Sequence, residues 1–255
     1  MNSEDISITN KLLSTAKKIV VVGHKNPDGD AVGSSLGLCN FLKQKGHHVQ
    51  VVMPNDFPDF LKWIPEASSI INYEQNFEET KTAIQKAEII FTLDFNALDR
   101  TGDLATELEQ AAADFILIDH HQQPDDYALV TYSDVAMCST SEMVFHFMEK
   151  LEGIQLLNKE IATQLYVGIM TDTGSFRFQT TTATTHRVVA DLMEAGAENA
   201  SIHENVYDTN SPDRLKLLGI ALNNMVMFPE FRTAYITISQ DELNDQLNKV
   251  LSKYD

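Results

Sequence analysis

Four short apolar runs rich in β-branched residues, separated by longer segments of helical period, constrain this chain more than any other feature of its sequence. The runs are IVVVG at 19–23, VQVVM at 49–53, EIIFTLD at 88–94 and FILIDH at 115–120. Their apolar positions are nearly continuous rather than alternating, which predicts strands buried on both faces. Helices are predicted between them at 31–45, around 77–87 and over 103–113, the first ending at Gly46 as a C-terminal cap. Strand and helix in alternation predict an α/β fold, a mostly parallel sheet with helices on both faces.

From about 139 the pattern changes to helix after helix. STSEMVFHFMEKL opens with capping residues and is followed by NKEIATQLYVGIMTDT, TATTHRVVADLMEAG and segments near 198–207 and 211–224. A strand-like FRTAYITIS at 231–239 then precedes an amphipathic QDELNDQLNKVL, with no further strand predicted for it to pair with. A boundary is expected at Phe228-Pro229-Glu230, dividing the chain into 1–228 and 229–255.

Function classes narrow with charge. The 255 residues carry 19 Lys and Arg against 37 Asp and Glu, a net of −18. Such a field repels phosphate, so stable binding of duplex nucleic acid is not expected, and any phosphorylated substrate needs local attraction from bound cations. Two cysteines, Cys39 and Cys138, exclude a disulfide framework and a four-cysteine zinc site. No run approaches a membrane span and MNSEDISITN is no secretory signal, so a cytoplasmic location without membrane contact is expected.

Polar clusters stand where strands or helices end, the side of an open α/β sheet on which ligands bind. The loop GHKNPDGDA at 23–31 carries His24, Asp28 and Asp30, with Pro27 and Gly29 to curl it. Taken alone, this loop is read more readily as turn and capping residues. Asp94 ends a strand, where a carboxylate needs a partner or caps the next segment. Asp119-His120-His121 ends another, the adjacent imidazoles expected on different sides of the chain. Asp172 stands in TDTGS at 171–175, after a helical segment. His47, His48, His146, His186 and His203 have no such setting and read as surface or packing residues. If His24, Asp28, Asp30, Asp94, His120 and Asp172 meet, four carboxylates repel, and two divalent cations offset them. Carboxylate and imidazole without thiolate suit Mn²⁺, with Mg²⁺, Co²⁺ or Fe²⁺ as alternatives. Paired cations can hold a hydroxide and clamp a phosphoryl displacement.

With GHKNPDGDAVGS at 23–34, Asp94, IDHH at 118–121 and TDTGSF at 171–176 in order, the chain resembles the DHH phosphoesterase superfamily over about 19–225. The resemblance implies one metal held by His24, Asp28 and Asp94 and another by Asp30, Asp94, His120 and Asp172. It further implies His121 on the scissile phosphate and Asp119 orienting its histidine neighbours. The NPDGDA segment is similar to the oligoribonuclease and 3′-phosphoadenosine-5′-phosphate (pAp) phosphatase branch. That branch implies exonucleolytic hydrolysis of short RNA oligonucleotides and of nucleotide phosphates through hydroxide held by two cations. Inorganic pyrophosphatase, cyclic- or linear-dinucleotide phosphodiesterase and a catalytically silent binding module are the alternatives, and a homodimer is left open. No Gly-Gly pair occurs, so 229–255 is expected to hold only the beginning of the family's glycine-rich second domain. Arg100, Ser34, Ser35 and Arg177 are candidate substrate contacts, against duller roles as exposed, capping or packing residues; Phe176 is a further candidate as a base-stacking platform.

Overall fold

A computed structural model describes residues 1–244. The four apolar runs form β1 (Lys18–Val22), β2 (His48–Met53), β4 (Ile89–Leu93) and β5 (Asp114–Asp119). Two short strands not anticipated from the sequence, β3 (Ile71–Asn72) and β6 (Val130–Ser133), extend the sheet at its edges. All six strands are parallel, in the order β3-β2-β1-β4-β5-β6. Val21 pairs with Val51 on one side and Phe91 on the other, so the centre of the sheet is dry.

Helices cover both faces, as the alternation predicts. On one face α3 (Phe77–Lys86) and α4 (Ala105–Glu109) bury Ile84 and Leu108 against Val20, Val22, Val52 and Ile90. The predicted 103–113 helix is therefore shorter, with a 3₁₀ segment at Leu98–Leu104 before it. On the other face lie α2 (Gly29–Gln44) and α5 (Thr140–Lys150), whose Phe147 meets Phe91 edge-on at 5.9 Å. Behind them pack α6 (Lys159–Asp172), α7 (Ala183–Glu194) and α8 (Asn199–His203). An N-terminal helix, α1 (Ser3–Leu12), is closed by a capping box between Asn2 and Asp5.

The closest helix contact is between α2 and α6. A methyl group on Gly33 would stand 2.4 Å from the Gln164 carbonyl oxygen and 3.0 Å from the Gly168 nitrogen. Only hydrogen at position 33 lets these two backbones touch, and the two helices carry Asp30 and Asp172 at their ends.

Internal contacts divide the chain after Asn205. The second unit contains α9 (Pro212–Asn223) and an antiparallel hairpin of β7 (Val226–Phe228) and β8 (Thr233–Tyr235). The strand expected at 231–239 is thus shorter and has a partner, Phe228 stacking on Tyr235 at 5.8 Å. Pro229–Phe231, where a domain boundary was expected, is the 3₁₀ turn of this hairpin. Of the last predicted helix, 240–244 are helical and the remainder lies outside the described residues. Among the described residues no helix is long and apolar enough to cross a membrane.

Candidate metal centre

The strand order reverses between β1 and β4, and the loops beyond their carboxyl ends open a crevice there. His24 and Asp94 stand in those two loops. His24 Nδ1 lies 2.8 Å from the Lys25 carbonyl, which directs Nε2 to the Asp94 Oδ2 at 3.5 Å and the Asp28 Oδ1 at 4.0 Å. Asp28 is the N-cap of α2, its Oδ1 accepting the N–H groups of Asp30 at 2.9 Å and Ala31 at 3.1 Å. Capping and ligation are therefore compatible, since the cap occupies one oxygen. Asp30 is buried in the first turn, its two oxygens accepting the Thr140 N–H at 2.6 Å and the Ser141 N–H at 2.9 Å. Those donors are the first two residues of α5, so the positive end of that helix faces the carboxylate.

Asp94 is 3% exposed and has φ 66, a left-handed conformation that strains a non-glycine residue and marks functional sites. Its Oδ1 accepts the Thr140 hydroxyl at 2.9 Å and lies 3.5 Å from His120 Nε2. The same His120 nitrogen is 3.5 Å from the Asp172 Oδ2 at the end of α6, while its Nδ1 faces the Met137 carbonyl at 3.3 Å. His121 Nδ1 donates to the fully buried Asp119 Oδ1 at 2.6 Å, and Asp119 Oδ2 is buried without a hydrogen-bond partner. The two imidazoles do not part to opposite sides: their centroids are 4.8 Å apart and both reach Asp94.

Three groups have donor atoms within 4.8 Å of one another: His24, Asp28 and Asp94; Asp30, His120 and Asp172; Asp94, His120 and His121. All six predicted ligands are gathered, and Asp94 and His120 each belong to two groups. Protonation records the mutual repulsion. Burial, with Asp94 and Asp172 nearby, holds Asp30 well above the usual carboxylate range. Burial and the neighbouring carboxylates Asp94 and Asp28 likewise push Asp172 up to about 6, although His120 opposes this. Burial disfavours the charged form of Asp94, but His120 and His24 win and hold it low. Burial also opposes protonation of His120, yet Asp94, Asp30 and Asp172 push it up to about 10. Protons thus neutralise a cavity whose oxygen and imidazole donors fit hard or borderline divalent cations.

The structure separates the other candidates. Ser34 and Ser35 are fully buried, contrary to the expectation of anion contact; the Ser34 hydroxyl donates to the Asp30 carbonyl at 2.6 Å. Helix α2 is covered from Gly29 to Leu42, leaving neither hydroxyl a path to the rim. Arg100 is exposed, and its carbonyl accepts the Lys25 N–H at 2.9 Å, which draws its segment beside His24. Arg177 is exposed, with Nε donating to the Gly174 carbonyl at 2.6 Å. His47 is buried, its Nδ1 accepting the Lys17 N–H at 3.2 Å; His48 and His186 are exposed. His146 pairs with Glu149 at 2.7 Å, and His203 meets Ser175 at 3.1 Å. Thr140 and Ser141 went unread as site residues; the capping pattern of STSE located their helix end, but not the carboxylate it serves. A groove of about 770 Å³ lined by Lys18, His48, Gln50 and Lys86 opens at the start of β1 and β2, the opposite end of the strands.

Known proteins are similar to this chain over most of its length. The family described as "DHH family, N-terminal domain" matches residues 18–169. The chain is 30% identical over 208 residues to the bifunctional oligoribonuclease and PAP phosphatase NrnA of Thermus thermophilus, covering 81% of this chain and 59% of that protein. It is 26% identical over 234 residues to the protein of the same name from Bacillus subtilis, covering 91% of this chain and 70% of the relative. The crystal structure of an exopolyphosphatase-related protein from Bacteroides fragilis superposes with a TM-score of 0.94 at 36% identity, covering 96% of this chain and 72% of that one.

Proposed function

The chain belongs to the DHH family, and from that premise we propose that it is a divalent-cation-dependent phosphoesterase that trims short oligoribonucleotides from an end and dephosphorylates pAp. One observation carries the reading: six donors from four separate loops and helix ends overlap through Asp94 and His120. His24, Asp28 and Asp94 would hold one cation, and Asp30, His120 and Asp172 a second, with Asp94 between them. Mn²⁺ suits this donor set, which lacks thiolate. When bound, the cations supply Lewis acidity to a phosphoryl oxygen and activate water near neutral pH.

The chain's own residues do the rest. Thr140 and the α5 N-terminus fix the carboxylates of Asp94 and Asp30 in place. Asp119 holds a proton on His121 Nδ1 and raises that imidazole's proton affinity, so His121 can present Nε2–H to a phosphoryl oxygen as charge develops. His121 is the more exposed of the two histidines, which suits contact with substrate. Arg100 and Arg177, exposed beside these loops, supply cationic contacts within a chain of net charge −18. The names of the Thermus and Bacillus relatives support the substrate class.

The test is phosphate release from pAp and from a diribonucleotide by the 255-residue chain with added Mn²⁺. Cation-dependent turnover that collapses in Asp94→Ala is expected. Equal turnover in that variant, or turnover after exhaustive chelation, overturns the assignment.

A further inference from the structure

Beyond Asp172 the backbone takes three left-handed residues in succession, Gly174 (φ 56), Ser175 (φ 62) and Phe176 (φ 65). Glycine adopts this readily, whereas serine and phenylalanine do so only where the surroundings compel it. Here they do. The Ser175 N–H donates to the Met170 carbonyl at 2.8 Å, and the Phe176 N–H to the Thr173 hydroxyl at 3.0 Å. The Ser175 hydroxyl meets His203 at 3.1 Å, and the Phe176 ring packs among Tyr166, His186 and His203 at 5.8–6.3 Å.

The turn folds the chain back on the end of α6. The N–H groups of Arg177 and Phe178 both donate to the Thr173 carbonyl, at 3.0 and 3.1 Å. The Phe178 ring then lies across Gly174, two residues past Asp172; a methyl group at 174 would stand 2.5 Å from it. Yet 56% of Phe178 is exposed. Scattered exposed aromatics need no explanation. This one sits on a glycine, at the end of a strained and heavily anchored turn that follows directly on Asp172 in the chain. Phe176, the aromatic singled out from the sequence, is the packing residue of the pair.

We propose that Phe178 is the stacking platform for the base of a nucleotide whose phosphate lies at the metal centre, which rests on the phosphoesterase reading above. Base–aromatic stacking tolerates any base and contributes roughly five- to hundredfold in affinity. This would orient short RNA ends of any sequence without groups that read base edges.

The experiment uses the 255-residue chain as wild type, Phe178→Ala and Phe178→Trp, with two readouts. In the first, KM and kcat are measured with Mn²⁺ on a diribonucleotide and on its abasic counterpart. The ratio of kcat/KM for the base-carrying over the abasic substrate is expected to fall five- to hundredfold in Phe178→Ala, mainly through KM, and to recover in Phe178→Trp. An unchanged ratio, including equal losses on both substrates, overturns the platform while leaving the metal-centre reading intact. In the second, a 2-aminopurine ribonucleotide is titrated with Mg²⁺ present and its fluorescence followed, which needs no turnover. Quenching by wild type and Phe178→Trp but not Phe178→Ala supports stacking even if neither substrate is hydrolysed, the outcome that would sink the phosphoesterase reading instead. Equal quenching by all three proteins, or none by any, overturns it.

Discussion

Replacing Gly33 by Ala tests whether the contact of α2 with α6 sets the geometry of the candidate metal centre. The added methyl would lie 2.4 Å from the Gln164 carbonyl oxygen. Both obstructing groups, that oxygen and the Gly168 nitrogen, are backbone and cannot swing aside as a side chain would. Restoring ordinary contact near 3.4 Å requires the helices to part by about 1 Å. Overpacking of this kind costs about 1–3 kcal/mol, only partly offset by the ~0.5–1 kcal/mol that alanine gains over glycine within a helix. The net cost is up to about 2.5 kcal/mol, which for a chain of this size is a fall in Tm of up to roughly 10 °C. Asp30 lies three residues before Gly33, and Asp172 four residues after Gly168, so the same displacement separates two donors of one group. Misplacement by about 1 Å can reduce turnover on the order of a hundredfold. Thermal melts with and without Mn²⁺, followed by Mn²⁺ titration, measure both effects. A variant with wild-type Tm and an undiminished Mn²⁺-induced rise in Tm would refute the claim that this contact positions the donors.

Gly219→Ala is the matched opposite: position 219 is in the interior of α9 with nothing within 4 Å of an added methyl. It is expected to stabilise α9 by up to ~1 kcal/mol, seen as slower amide exchange across 212–223, and faster exchange would contradict this. Cation binding is expected to strengthen as pH rises. Asp172 is raised from 3.8 to about 6 and His120 from 6.5 to about 10. Both therefore hold protons in the cation-free fold that the unfolded chain would release. Their contribution to stability is full below the unfolded values and is lost as pH climbs from about 4 to 6 for Asp172 and from 6.5 to 10 for His120. At pH 7 Asp172 has largely lost its proton while His120 keeps its own, so a cation that displaces the His120 proton should give net proton release in Mn²⁺ titrations run in two buffers of different ionisation enthalpy. Zero release would show that the cation does not displace the His120 proton.

The legibility of each part followed from how its signal is carried. Strands β1, β2, β4 and β5 were readable because burial on both faces requires apolar residues at nearly every position. Strands β3 and β6 are edge elements of two and four residues; VTYS alternates buried and exposed positions over too short a span to leave a period. The gathering of His24, Asp28, Asp30, Asp94, His120 and Asp172 was legible because each sits where a periodic segment stops. Ser34 and Ser35 misled because a hydroxyl one turn past a loop looks available, while the face it occupies depends on α5 and α6, far along the chain. The N–H groups of Thr140 and Ser141 had no signature, since every residue but proline has one.

The arrangement also leaves a negative charge that the fold's own dipoles do not cancel. Two helices point their amino ends at the cluster, α2 toward Asp28 and α5 toward Asp30, while α6 ends on Asp172 with its negative pole. A helix end is equivalent to about half an elementary charge. Two positive ends and one negative end therefore leave about +0.5 against four carboxylates. Among the described residues, every ion pair made by Asp28, Asp94 and Asp172 is with a histidine. No lysine or arginine enters, although one placed there could neutralise the cluster permanently. A fixed ammonium would fill the volume and offer no open coordination site. Histidines, by contrast, can yield a proton to an incoming cation and then serve as ligands themselves. On the proposed reading, the same residues that make the cation-free cluster tolerable would become donors to a cation, and His120, shared by two of the three groups, would hold the position that a purely structural counter-charge would otherwise take.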